Sequence, residues 1–224
     1  MKSCAQDDSS GHRVRRLVLW VVAGAAALGF WWREHPSPCP YGLRVWLVLP
    51  RPVITWRRLI DILSPREGER MLEIGAGTGY YALRVAERLG ESGRLDALDI
   101  QQSMLSHLAT RAHERGLGNV VTTVCDAHAL PFEDDTFDGV YLSTVFGEII
   151  DQDLALAEMY RVLRPGGRLV DGECLGDPLM VFPENLRQRA TAAGFSFVRR
   201  VGVPLAYFAL FRKEAGDADE AQGS

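Results

Sequence analysis

The sequence predicts an α/β domain built on a parallel sheet with crossover helices, and three observations carry that expectation. Apolar runs of strand length alternate with helical stretches from Trp56 to Arg212, a glycine-rich turn stands at a strand-to-helix junction in MLEIGAGTGYYA, and no internal repeat interrupts the alternation. The composition agrees, since 224 residues with 47% hydrophobic and 24% charged side chains suffice for one sizeable core.

Taken in order, a short helix over 56–63 leads to a strand at 70–74, a helix at 80–89 and a strand at 94–99. A helix at 103–115, a strand at 120–125, a strand at 137–142 and a helix at 151–163 follow. Pro165-Gly166-Gly167 then stops the helix and turns the chain into a strand at 168–172. A helix at 183–193 and two β-rich runs, 195–201 and 205–212, close the domain. Four segments result: a basic amino terminus with an apolar helix (1–34), a Pro- and Trp-rich connector (35–55), the α/β domain (56–213), and a polar, acidic tail (214–224) expected to be disordered.

The net charge of −4 conceals an asymmetry. Residues 1–58 carry nine Lys/Arg against Asp7, Asp8 and Glu34, a net +6 that leaves −10 for the rest. An acidic main domain cannot easily neutralise a phosphate backbone, so nucleic acid is excluded as a partner, and the basic arm points to a membrane surface. Residues 17–32 form sixteen uncharged positions flanked by arginines, and all five tryptophans lie in this arm or just beyond it. As a helix that run spans roughly 24 Å against a hydrocarbon core of ~30 Å. A membrane anchor is the favoured expectation, with an interfacial helix and a cleaved signal peptide as alternatives. The four cysteines form no C-x-x-C pair, and no His/Asp/Glu spacing suggests a metal site.

The chemistry concentrates in E-x-G-x-G-x-G (Glu73, Gly75, Gly77, Gly79), where glycines let the backbone approach a ligand. Asp99 follows 20 residues after Gly79 at a strand end, placed to accept ribose hydroxyls. Gly77, Gly79 and Ala82 also satisfy G-x-G-x-x-A, so a nicotinamide dinucleotide competes at this point. Three further blocks separate the two readings: C-D-A-H-A-L-P-F at 125–132, F-D-G-V-Y at 137–141 and R-V-L-R-P-G-G-R-L-V at 161–170. With them the sequence resembles class I S-adenosylmethionine-dependent methyltransferases of the small-molecule type, similar to ubiquinone/menaquinone-biosynthesis C-methyltransferases, over residues 56–212.

The resemblance implies a Rossmann-like seven-stranded sheet whose last strand is antiparallel, with S-adenosyl-L-methionine as cofactor. It also implies roles by position. Glu73, Gly75, Gly77 and Gly79 wrap the methionine portion, Asp99 takes the ribose, Ile100 and Met104 pack on the adenine, Asp126 and Ala127 meet its edge, and Ser143 lines the pocket beneath the sulfonium. Many relatives carry His where Gly147-Glu148 stands here, so Glu148 becomes the candidate base, with a solvated carboxylate near the next helix as its alternative. Tyr80, Tyr81, His128, Asp171 and Glu173 are further acceptor-side candidates. Both connections that cover the acceptor pocket in relatives are short here, so residues 35–56 are the spare chain able to close it. A small, lipophilic acceptor entering from a membrane, with the catalytic domain in the cytoplasm where the cofactor is made, is the expected function. A phospholipid N-methyltransferase, a membrane-tethered cofactor-binding module without catalysis and a nicotinamide oxidoreductase are the alternatives.

Overall fold

The computed structural model describes residues 15, 20, 24, 54–175, 177 and 179–215. The domain begins with α1 (Trp56–Leu63), β1 (Arg70–Ile74), α2 (Ala82–Leu89), β2 (Arg94–Asp99), α3 (Gln102–Glu114) and β3 (Val120–Val124). It continues through β4 (Phe137–Ser143), a 3-10 turn (Phe146–Glu148), α4 (Gln152–Val162), β5 (Leu163–Cys174), α5 (Pro183–Ala192), β6 (Phe195–Val203) and β7 (Ala206–Lys213).

Local chemistry explains the helix ends. Thr55 Oγ1 accepts from the Arg58 N–H at 3.3 Å and starts α1, while Ser64 ends it in the left-handed region at φ 48°. Asp151 starts α4 by accepting from the Leu154 N–H at 3.0 Å. Pro183 opens α5 at a position where a backbone donor is not needed.

The strands form one sheet in the order β3-β2-β1-β4-β5-β7-β6. Neighbours from β3 through to β5 pair in parallel, and β7 is antiparallel to both β5 and β6. The expected seven strands and antiparallel last strand are therefore present. Only Pro204-Leu205 separates β6 from β7, a connection short enough to force an antiparallel pair. Apolar residues of β1, β2 and β4 alternate between two cores. Met71, Leu95 and Tyr141 face α1, α2 and α3, whereas Leu72, Leu98 and Leu142 face α4 and α5.

Two elements depart from expectation. The helix expected from residue 80 begins at Ala82, because Tyr80 and Tyr81 are held by tertiary contacts: Tyr81 donates its hydroxyl to the Ile54 carbonyl at 2.7 Å and packs edge-on against Tyr80 and Phe208. The strand expected at 168–172 runs from Leu163 to Cys174 and takes Pro165-Gly166-Gly167 into itself as an irregularity. Leu163 pairs with Phe137 and Arg168 with Gly139, so the extra residues bulge out of a continuous ladder and do not turn the chain.

The expected apolar helix at 17–32 lies outside the described residues apart from Trp20 and Gly24. Among the described residues no helix is long and apolar enough to cross a membrane. The connector at 35–55 lies outside them too, except for its last two residues, Ile54 and Thr55, and so does the tail after Ala215.

Candidate cofactor and acceptor site

The chain runs from β1 outward to β2 and β3 on one side and returns to β4 and β5 on the other. The crevice above the carboxyl ends of β1 and β4 is thus the topological switch point where ligands of open α/β sheets bind. A cavity of about 190 Å³ opens there. Gly75, Gly77, Asp99, Ile100, Met104, Asp126, Ala127, Ser143 and Glu148 all line it, although they come from five separate stretches of sequence. Two residues of the glycine motif stand outside this lining, Glu73 and Gly79.

Each glycine of the turn has its own reason to be glycine. All three adopt positive φ, at 69° for Gly75, 51° for Gly77 and 84° for Gly79. A Cβ on Gly75 would stand 2.3 Å from Val145 Cγ2, and one on Gly79 would stand 2.3 Å from Leu108 Cδ1. Gly79 therefore serves the packing of α3 against the turn, and Gly75 admits the chain that follows β4. The Gly77 N–H donates to Asp99 Oδ2 at 2.9 Å, and the Gln101 N–H donates to Asp99 Oδ1 at 2.8 Å. Asp99 thus anchors the turn to the end of β2 and still presents carboxylate lone pairs to the cavity. Burial pushes its carboxyl pKa up, and the backbone N–H groups oppose that shift.

The opposite wall is held by His128. Its Nδ1 lies 2.7 Å from Asp126 Oδ1, and its Nε2 accepts from the Asp151 N–H at 3.1 Å, which ties the loop after β3 to the start of α4. Arg161, within the R-V-L block, braces the same loop by donating to the carbonyls of Leu130 and Phe132 and pairing with Glu158 and Asp134. Glu148 sits on the 3-10 turn after β4, lining the cavity beside Ser143, Thr144 and Val145. Capping of α4 falls to Asp151. Gly147 brings this turn against the chain after β5, where a Cβ would stand 1.9 Å from the Leu179 carbonyl oxygen.

Comparison with known proteins bears on this arrangement. Residues 53–180 match the model of the ubiE/COQ5 methyltransferase family. The chain belongs to that family. It is 42% identical over 117 residues to the ubiquinone/menaquinone biosynthesis C-methyltransferase UbiE of Cellvibrio japonicus, covering 51% of this chain and 47% of that protein. The Escherichia coli O1:K1 relative of the same name is 36% identical over 149 residues, covering 66% and 58%. The chain thus spans about half the length of the curated relatives it matches. In fold it is similar to a SAM-dependent methyltransferase of Aquifex aeolicus, at a TM-score of 0.72 and 20% identity over 79% of this chain and all of that one.

Members of the ubiE/COQ5 family are methyltransferases that use S-adenosylmethionine, and the cavity is chemically suited to that cofactor: a carboxylate at the end of β2, apolar walls from Ile100 and Met104, and a turn whose glycines leave the backbone bare. Gly77→Val is expected to weaken S-adenosylhomocysteine binding by at least about tenfold, since a β-branched residue at positive φ is strained by ~1–3 kcal/mol and the position lines the cavity. Calorimetric titration of the variant checks it, and wild-type affinity would remove Gly77 from the site.

Lining residues to which the motif reading gave no role are Ile74, Leu98, Gln101, Cys125, Thr144, Val145, Ile149 and Ile150. Thr144 takes φ 56° at the end of β4, a conformation that no local signal in S-T-V-F announces. Glu73 turns away from the lining and is buried against Tyr141, whose hydroxyl donates to its carboxylate at 3.0 Å. Asp171 and Glu173 lie buried on the α4/α5 face of β5. The Val181 N–H donates to Glu173 Oε2 at 3.1 Å, while neither Asp171 oxygen is hydrogen-bonded, although the Gly172 N–H lies near enough to favour the anion in part.

Desolvation pushes Glu73 from its ordinary 4.5 up to about 8 and raises both Asp171 and Glu173. Between pH 4.5 and 8 the folded Glu73 keeps a proton that the unfolded chain has released, so the unfolded state binds fewer protons and stability falls as pH rises through that window. Asp171 and Glu173 act in the same direction. Urea midpoints of the ligand-free protein should therefore decline from pH 5 to 9, and Asp171→Asn should flatten the decline. A wild-type midpoint that rises with pH would show that these carboxyls are charged and paired.

Proposed function

We propose that this chain transfers the methyl group of S-adenosylmethionine to a ring carbon of a small, lipophilic quinol-type acceptor. The supporting observation is that the ubiE/COQ5 family match over residues 53–180 includes the glycine turn, Asp99, the Asp126 loop and the Glu148 turn, and that the curated relatives are ubiquinone/menaquinone biosynthesis C-methyltransferases. In this reading Gly75 and Gly77 hold the methionine portion with Glu73 behind them, and Gly79 sets the helix that follows. Asp99 accepts from the ribose, Ile100 and Met104 flank the adenine, Asp126 and Ala127 meet its edge, and Ser143 lies beneath the sulfonium. The bound cofactor supplies an activated methyl group with a neutral thioether as leaving group. The chain positions the acceptor carbon in line with it and excludes water, which provides much of the rate. Forming the new C–C bond releases the ring proton, and the role of receiving it is assigned to Glu148, which lines the cavity. Incubation with labelled S-adenosylmethionine and a lipid-soluble quinol that has one unmethylated ring position tests the reading. A ring C-methyl product supports it, whereas label on an amine or hydroxyl of another lipid overturns it.

The same proposal places residues 17–32 in or on a membrane, with the catalytic domain in the cytoplasm. Support comes from the uncharged run, its arginine flanks and the clustered tryptophans. Deleting residues 1–34 is expected to move the protein from the membrane to the soluble fraction while leaving S-adenosylhomocysteine binding intact, because the cofactor motif begins at Glu73. Unchanged fractionation after the deletion would exclude the arm as the anchor.

A further inference from the structure

At the end of the sheet opposite the glycine turn, a second cleft of about 480 Å³ lies between the last turn of α1, the Pro165–Gly167 bulge and the edge formed by β6 and β7. Five arginines line it, Arg66, Arg164, Arg168, Arg199 and Arg212, against two carboxylates, Glu69 and Asp138. Those carboxylates are taken. Arg168 pairs with Glu69, and Arg164 lies 2.6 Å from Asp138.

Among the described residues no carboxylate pairs with the other three guanidinium groups. Arg212 donates to the Gly166 carbonyl at 2.8 Å and Arg199 to the Asp61 carbonyl at 3.4 Å, groups that satisfy N–H donors without cancelling charge. Arg66 engages Glu69 only through its backbone N–H, and its guanidinium has no carboxylate partner among the described residues. The ladder aggravates the imbalance by setting Arg168 directly opposite Arg212, an arrangement of like charges that weakens a sheet. Gly166 lines the cleft beside them. At Gly166 nothing stands within 4 Å of the place a Cβ would occupy. The lining side chains sum to +3 in a concave cleft, within a domain that is otherwise acidic, and that local field favours an anion.

We propose that this cleft binds a phosphate group, held by Arg66, Arg199 and Arg212. Guanidinium forks match the paired oxygens of a phosphate in geometry and charge, and all three residues line this one cleft. Phosphate has two possible sources, a soluble phosphorylated compound or the headgroup of an anionic lipid reached through the exposed edge strand. The site is separate from the methyl-transfer centre and does not depend on the acceptor assigned to it.

The experiment uses the full chain and its Arg199→Gln and Arg212→Gln variants, with Arg187→Gln on α5, outside the cleft, as control. Inorganic phosphate is titrated while the arginine Nε–Hε resonances are followed by NMR. Saturable shifts in the wild type and the control, weakened about tenfold or more in either cleft variant, are expected for loss of a charge-assisted hydrogen bond. Co-sedimentation with phosphatidylglycerol and phosphatidylcholine vesicles then assigns the source. Binding to phosphatidylglycerol that is reduced in the cleft variants and displaced by phosphate identifies a lipid headgroup, and phosphate binding without that effect identifies a soluble ligand. Absence of saturable shifts in the wild type, or equal affinity in all four proteins, overturns the proposal.

Discussion

Glu148→Gln is expected to lower methyl transfer by ~10²–10⁴-fold, the usual contribution of a general base, while leaving S-adenosylhomocysteine affinity unchanged. Glutamine keeps the size and hydrogen-bonding reach of the side chain and loses its basicity. The 3-10 turn that carries Glu148 is packed through Gly147 against Leu179, so the substitution leaves the wall of the cavity in place. Single-turnover rates on the true acceptor, combined with calorimetric titration of the product cofactor, separate chemistry from binding. Full activity in the variant would return Glu148 to the reading of a solvated carboxylate.

Asp99→Ala is expected to cost S-adenosylhomocysteine binding on the order of 2 kcal/mol or more, about thirtyfold in affinity, as for hydrogen bonds to a charged group. The structure adds a second loss. The Gly77 and Gln101 N–H groups both give up their acceptor, so the turn loosens as the ribose partner disappears. Asp99→Asn separates the two effects, because it keeps one oxygen for a backbone donor while losing the charge. The order expected is wild type, then Asn, then Ala, in falling affinity. Equal affinity of all three would dismiss the assignment of this cavity to the cofactor.

Much of the site was legible because its signals are local. The glycine turn needs positive φ at fixed spacing, and a carboxylate at the end of the next strand must stand beside it in any parallel sheet with that connection. Nine of the eleven residues singled out as cofactor-binding or catalytic line one cavity, because short loops at strand ends converge at the switch point. The two exceptions show the limit of a motif. Glu73 and Gly79 share the motif's spacing, yet one side chain is spent on Tyr141 and the other position is spent on packing against Leu108.

The alternation of apolar runs, turns and helices determined by itself the sheet, its crossovers and the antiparallel closing pair, since periodicity and loop length leave few other ways to bury those faces. Only the tertiary structure decided what depends on register. The Pro165–Gly167 segment reads locally as a helix stop, but Leu163 pairs with Phe137 and draws the segment into β5. Asp171 and Glu173 read as available acceptor-side acids, and packing of α4 and α5 against that face of β5 buries them. Arg66, Arg199 and Arg212 are scattered through the sequence without a pattern, and the pairing of β5, β7 and β6 draws them around one cleft. Backbone periodicity is encoded within a few residues, whereas the charge around a side chain is set by whichever distant strands the sheet places beside it.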